Sequence, residues 1–241
     1  MRYLSRLIID LRRRDVQRDL ADCQRLHVRL MGAFPAADSP TNAREQFGVL
    51  FRPEPLGNLP MLRVLVQSQQ EPNWATLPDG YLAASPDTRG NPAVRTLDDE
   101  YTRIEAGMRL RFRLRANPTK RISDRSTRVE DAQMRGKRVE LRREADQLAW
   151  LERKGTDFGF RLVRVEVNSS EDIPNVRIGE RPLQRGRDGE HALRFGVAVF
   201  DGLLDVTDAS AFVQGLEAGI GSGKAYGFGL LSIALLAGCT A

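Results

Sequence analysis

Residues 107–115 read Gly-Met-Arg-Leu-Arg-Phe-Arg-Leu-Arg. Successive side chains of a strand point to opposite faces, so Met108, Leu110, Phe112 and Leu114 share one face and Arg109, Arg111, Arg113 and Arg115 the other. The first face demands an apolar layer. The second sets four guanidinium groups in a row, which repel one another unless something anionic lies across them. That anion is either a partner molecule or the Asp and Glu side chains of neighbouring strands, since such exposed pairs are common.

The basic character continues past the strand. Residues 107–143 hold 13 Lys and Arg against 4 Asp and Glu, a net +9. The whole chain is +5, which leaves −4 for the rest. Charge this focused is the footprint of a nucleic-acid surface. Asn117-Pro118 breaks the strand, and Lys120-Arg121 and Arg135-Gly136-Lys137-Arg138 then flank a polar, Ser- and Arg-rich middle. The pattern predicts a basic loop or hairpin that orders on binding.

A second marked stretch lies near the end: Gly219-Ile-Gly-Ser-Gly-Lys224-Ala-Tyr-Gly-Phe-Gly229. Glycine permits φ > 0 and close backbone approach, and Lys224 adds a charge to whatever anion the N–H groups face. Neither the P-loop nor the dinucleotide fingerprint fits, because Ala218, Ala225 and Tyr226 stand where those motifs need other residues. The loop follows a predicted helix over 209–218 and precedes an apolar strand. It reads either as an anion cradle or as a tight connection with a glycine C-cap.

Toward the N-terminus, residues 2–9 read as a strand. Asp15 or Asp19 is expected to cap a helix running to Phe34, closed by Pro35. Val16, Leu20, Cys23, His27, Leu30 and Phe34 are spaced to form one stripe of that helix. His27 sits inside the stripe. It is either a packed histidine or, facing a cleft, a proton donor or acceptor near pH 7.

Gln46–Arg52 and Met61–Ser68 read as strands, and 71–98 as loop and linker. A helix is expected from Arg142 to Lys154, ended by Gly155 and Gly159, then a strand from Phe160 to Val167. Residues 168–190 read as a polar loop, and Ala192–Val206 as two strands meeting at Asp201-Gly202. His191, at the edge of that hairpin, is given no role. The order strand, helix, strand, strand is the front of a ferredoxin-like βαββαβ unit, and the chain closes with a second unit of that type.

The 241 residues allow one large domain or two of roughly 100–150 residues. Two cysteines, Cys23 and Cys239, make no disulfide framework and fit a reducing compartment. The two histidines, with no Cys/His cluster of zinc spacing, predict no metal site and no cofactor. The N-terminus lacks the apolar core of a signal peptide, and the tail from Leu230 is shorter than the roughly 20 residues of a membrane span. The expected location is the cytoplasm, away from membranes.

Taken in order, several pieces resemble one family. They are Tyr-Leu-Ser-Arg-Leu-Ile-Ile at 3–9, Leu-His at 26–27, Leu-Arg-Phe-Arg-Leu-Arg-Ala-Asn-Pro-Thr-Lys at 110–120, Gly-Lys-Arg-Val at 136–139, Gln-Leu-Ala-Trp-Leu-Glu-Arg-Lys at 147–154 and the glycine stretch at 219–232. The chain resembles the CasE family, the CRISPR repeat-cleaving endoribonucleases of type I-E systems.

The resemblance implies an α+β fold of two tandem ferredoxin-like domains. These are 1–98, carrying the helix histidine, and 99–241, carrying the basic hairpin and the glycine loop. It implies metal-independent cleavage of CRISPR precursor RNA at the repeat hairpin. The 2′-OH attacks, giving a 2′,3′-cyclic phosphate and a 5′-OH, and the enzyme stays on the mature guide RNA beside the other Cascade subunits. His27 matches the family's catalytic histidine. With the charge map, the expected RNA-binding residues are Arg113, Arg115, Lys120, Arg121, Arg135, Lys137, Arg138 and Lys224. Family members carry Tyr three residues before the histidine, where this chain has Gln24, and their loop has Gly-Pro where it has Gly221-Ser222. A non-catalytic hairpin-RNA-binding subunit of a ribonucleoprotein is the alternative.

Overall fold

The computed structural model describes residues 1–37, 43–84, 87–122, 136–168 and 171–236. Arg135 of the basic stretch and Cys239 lie outside them. Strand β1 (Tyr3–Asp10) opens the chain and buries Ser5, Leu7, Ile8 and Ile9. The single helix expected next is two: α1 (Arg14–Ala21) and α2 (Cys23–Met31). Asp22 between them is extended, and its carboxylate accepts the Gln24 N–H at 2.9 Å. A capping side chain in a β conformation ends one helix and starts the next. Asp19, one of the two expected caps, is instead buried, where it accepts from Arg29 Nε at 2.7 Å and Tyr81 hydroxyl at 3.1 Å.

A short helix, α3 (Ala43–Gln46), takes the start of the expected second strand, so β2 (Leu50–Pro55) begins later. It pairs with β3 (Met61–Ser68). A 3-10 turn at Trp74–Thr76 follows, and Trp74 Nε1 donates to Ser5 Oγ at 2.9 Å. Inside the expected linker, β4 (Ala93–Thr96) pairs with β1. Its Val94, Arg95 and Thr96 side chains are exposed, so no apolar alternation marks it in the sequence. The sheet order β2-β3-β1-β4, all antiparallel, is that of a ferredoxin-like unit in which the 3-10 turn replaces the second helix.

After α4 (Asp98–Thr102) the second sheet starts at β5 (Arg109–Ala116), whose Leu110, Phe112 and Leu114 are buried as the alternation required. A separate hairpin, β6 (Thr119–Arg121) with β7 (Arg138–Glu140), rises from its end. Helix α5 (Glu144–Asp157) runs through Gly155, which was expected to stop it. A Cβ there would stand 2.5 Å from the Phe160 carbonyl oxygen, so this glycine serves a close crossing rather than a cap.

Then come β8 (Phe160–Leu162), β9 (Arg164–Asn168), β10 (Glu171–Pro174), β11 (Val176–Asp188) and β12 (His191–Val206). The polar stretch read as a loop is therefore largely strand, held by pairing with β12. The tight turn is Gly189-Glu190, between the paired Asp188 and His191, not Asp201-Gly202, which sits in mid-strand. A Cβ at Gly202 would meet the Asn175 carbonyl oxygen at 2.4 Å, which is why a turn-like dipeptide interrupts a continuous strand.

Helix α6 (Ala209–Ala218) is capped by Asp208, and β13 (Leu231–Leu235) closes the sheet as β11-β12-β5-β13. This repeats the ferredoxin-like order, with α5 and α6 as its helices. Trp150, Leu151, Phe200, Phe212 and Leu216 fill this core. Buried Gln67 of β3 ties the first sheet to α6 and α4, donating to the Leu216 carbonyl oxygen and accepting from the Tyr101 hydroxyl, both at 2.8 Å.

Candidate nucleic-acid interface

Helix α2 presents His27 half-buried on its flank. The imidazole Nδ1 is buried and makes no hydrogen bond to another described residue. Burial, and then the cation of Arg44 on α3, hold the imidazole below its ordinary value, while Asp188 at the β11–β12 turn opposes them. His27 is therefore neutral at pH 7 in the free protein. Gln24, one turn earlier, directs its amide to Asp188 Oδ1 at 3.5 Å.

The glycine loop reaches this histidine. Gly223 (φ 74°) and Gly227 (φ 82°) bracket a 3-10 turn of Lys224–Tyr226. The loop closes on itself through Ile220 N–H to Gly229 O at 2.9 Å and hangs on β5 through Gly229 N–H to Arg115 O at 2.8 Å. Several of its glycines are packing residues: a Cβ at Gly221 would meet Trp150 at 3.0 Å, and one at Gly227 would meet Phe51 at 2.9 Å. The tight-connection reading thus accounts for the glycines, and the turn they create displays Lys224 and Tyr226. Lys224 makes no ion pair among the described residues, and burial followed by Arg44 lowers its pKa. The Tyr226 ring stands 6.2 Å from the His27 ring, centroid to centroid.

On the other side of Lys224 a cavity of about 490 Å³ opens. Its cations are Lys120, Arg121 and Arg138 of the β6–β7 hairpin, Arg153 and Lys154 of α5, and Lys224, and among the described residues no carboxylate lines it. Ser222 hydroxyl donates to the Asn117 carbonyl oxygen at 3.3 Å and ties loop to hairpin. The fold thus gathers Lys120, Arg121, Arg138 and Lys224 from the expected set, with Lys137 exposed on the same hairpin.

Arg113 and Arg115 go elsewhere. Arg113 Nε meets Asp201 at 2.5 Å, as Arg109 meets Asp205 at 2.7 Å, so acidic neighbours answer this part of the arginine row. Arg115 donates to the Gly227 carbonyl oxygen at 2.7 Å and to Gln184 Oε1 at 2.5 Å, and so holds the loop. Reasoning from sequence missed Arg44, Arg153, Lys154 and Tyr226. The last lay in plain view inside the glycine stretch, with no signal that it would meet a histidine from the other sheet's helix.

Among the described residues no helix is long and apolar enough to cross a membrane, and no group of three or more His, Cys, Asp or Glu is placed to hold a metal ion.

Two ferredoxin-like units, the first carrying a histidine and the second a basic cavity, suit an RNA-handling class of protein, and comparison with known sequences gives the family. A profile described as "CRISPR associated protein" matches residues 2–234. The CRISPR-associated endoribonuclease Cse3 of Thermus thermophilus is 36% identical over 235 residues, covering 96% of this chain and 99% of the relative. The CRISPR system Cascade subunit CasE of Escherichia coli is 33% identical over 236 residues, covering 97% and 100%. The solved structure of Thermus thermophilus Cse3 bound to an RNA representing a pre-cleavage complex superposes with a TM-score of 0.75 at 34% identity, covering 97% of this chain and 98% of that one. The chain belongs to this CRISPR-associated protein family.

Proposed function

We propose that the protein is a metal-independent endoribonuclease that cuts CRISPR precursor RNA at its repeat hairpin. The single observation that carries this reading is the Lys224–Tyr226 turn, which joins a basic cavity to a half-buried histidine. The cavity, with Lys120, Arg121, Arg138 and Lys224 from the expected set, grips the backbone of the hairpin stem, since double-stranded RNA is read by shape and phosphates. Lys137 extends that grip on the same hairpin, and Arg135 is read as a further RNA contact from its charge alone. Arg113 and Arg115 act from behind, as supports of the loop and sheet.

In the reaction the 2′-hydroxyl gives up its proton to water as its oxygen attacks the adjacent phosphorus and the P–O5′ bond breaks. This yields a 2′,3′-cyclic phosphate and a 5′-hydroxyl. The leaving O5′ needs a proton, and His27 donates it. His27 starts neutral, and the negative phosphodiester offsets Arg44 and charges it in the complex. Lys224 faces the non-bridging oxygens, where charge develops. The protein then stays on the mature guide RNA, in the cytoplasm, as a subunit of Cascade, the last being what the name of the Escherichia coli relative supports.

The test is a gel assay of repeat RNA in excess EDTA, beside the same RNA carrying a 2′-deoxy nucleotide upstream of the cut. The first should be cleaved and the second survive, and His27→Ala should lose cleavage while keeping hairpin affinity within about threefold. Tight binding without cleavage of either RNA would overturn the enzyme reading in favour of a hairpin-binding subunit, with Gln24 the first position to examine.

A further inference from the structure

Tyr226 meets His27 at a steep angle, with ring planes 71° apart. Behind it stands Phe195 of β12, 5.0 Å away, which leans on Phe228 at 5.6 Å. The Arg115 guanidinium lies over Phe228 at 4.3 Å and also bonds the Gly227 carbonyl oxygen. A packed chain of side chains therefore runs from strand β5 to the imidazole. The two left-handed glycines that bracket the turn give it a backbone other residues enter only with strain. The Tyr226 hydroxyl makes no hydrogen bond to a described residue, and neither does His27 Nδ1. The usual device for orienting an acid–base imidazole is a hydrogen bond to its second nitrogen. His27 instead has an aromatic neighbour, the Tyr226 ring.

We propose that Tyr226 is the positioning residue of His27: its ring, rather than its hydroxyl, sets the orientation of the imidazole and keeps water from its buried side. This rests on the reading of His27 as the proton donor. The charged groups that act on His27 come from two elements: Arg44 on α3 and Asp188 at the β11–β12 turn. Burial outweighs both in setting the His27 titration. Taking the ring away removes part of that burial and leaves both charges in place.

The experiment is an NMR titration of His27 in the free protein, in a His191→Gln background so that one imidazole remains, paired with single-turnover cleavage. Tyr226→Ala should raise the His27 midpoint by about half a pH unit toward its ordinary value. It should slow cleavage by about tenfold or more, while the RNA dissociation constant stays within about threefold. Tyr226→Phe should restore both readouts. An unchanged midpoint in Tyr226→Ala overturns the proposal. So does a Phe variant as slow as the Ala variant, which would assign the work to the hydroxyl. If Tyr226→Ala melts at assay temperature, Tyr226→Leu is judged by the same two outcomes. If the wild-type protein cleaves nothing, the nuclease reading fails by itself, and the titration alone decides whether the ring controls the imidazole.

Discussion

The Arg52 guanidinium donates to the Leu230 carbonyl oxygen at 2.9 Å from a position only 3% exposed. It also donates to the Arg113 carbonyl oxygen at 3.1 Å and meets Glu54 Oε1 at 2.6 Å. One buried cation on β2 thus fastens the first sheet to β5 and to the residue just before β13, and Glu54 and two carbonyls take up its hydrogen bonds. Burial pulls the Arg52 pKa down and Glu54 pulls it back.

Removing one member of a buried charge network leaves the others unpaired, which costs about 3–5 kcal/mol. Arg52→Met should therefore lower the melting temperature by about 6–20 °C. Thermal unfolding followed by circular dichroism measures it. A change under about 2 °C would mean that the junction does not depend on this residue.

The basic cavity predicts a salt dependence. Lys120→Ala with Arg138→Ala should flatten the slope of log affinity against log salt by about 0.7 to 0.9 for each phosphate no longer neutralised. Arg109→Ala should leave the slope as it was, because that guanidinium already answers Asp205 at 2.7 and 3.1 Å. Filter binding between 50 and 200 mM salt, roughly the range over which such interactions are resolved, distinguishes the two. Equal slopes for both variants would move the RNA path off the cavity.

Gly202→Ala tests the mid-strand glycine. The added methyl would stand 2.4 Å from the Asn175 backbone oxygen, so the strand must shift, at about 1–3 kcal/mol. Gly57→Ala is the control, since a Cβ there meets nothing within 4 Å and only its φ of 58° opposes it. That conformational cost is about 1–2 kcal/mol. Urea unfolding should rank Gly202→Ala as the less stable variant.

His27 predicts a pH dependence with a definite sign. The folded protein holds its pKa below the ordinary value of about 6.5, so on acidification the unfolded chain takes up the proton first. Stability from this group is complete above that value and is lost as pH falls below it, until the folded imidazole also charges. Wild type should therefore lose more stability than His27→Gln between pH 7.5 and 5.5, about the interval over which a histidine titrates. RNA affinity should move the other way, tightening on acidification in the wild type and less so in the variant, because the phosphodiester favours charged His27. Parallel stability curves for the two proteins would show that the imidazole is not held neutral.

Much of the fold was legible. The alternation of Leu110, Phe112 and Leu114 names β5 and its buried face, since strand periodicity is a property of consecutive residues. The break at Asp22 was harder, because the apolar stripe from Val16 to Phe34 continues through it and only the capping geometry ends the helix. The β11–β12 hairpin was misplaced because Asp-Gly occurs twice, at 188–189 and 201–202, and both dipeptides carry the same local signal. Register across the sheet decides which one turns.

By itself the sequence determined strand β5 and its buried face, the focus of positive charge, the place of His27 on a helix, and a glycine stretch able to turn sharply. These follow from periodicity and composition over a few neighbouring residues. The tertiary structure alone decided which cations are committed and which are open. Arg113 meets Asp201, while Lys224 joins Lys120 and Arg138 around one cavity. It alone brought Tyr226 against His27. Charges and rings far apart in the chain meet only once two sheets have packed, and the distances that govern their energies are set by that packing.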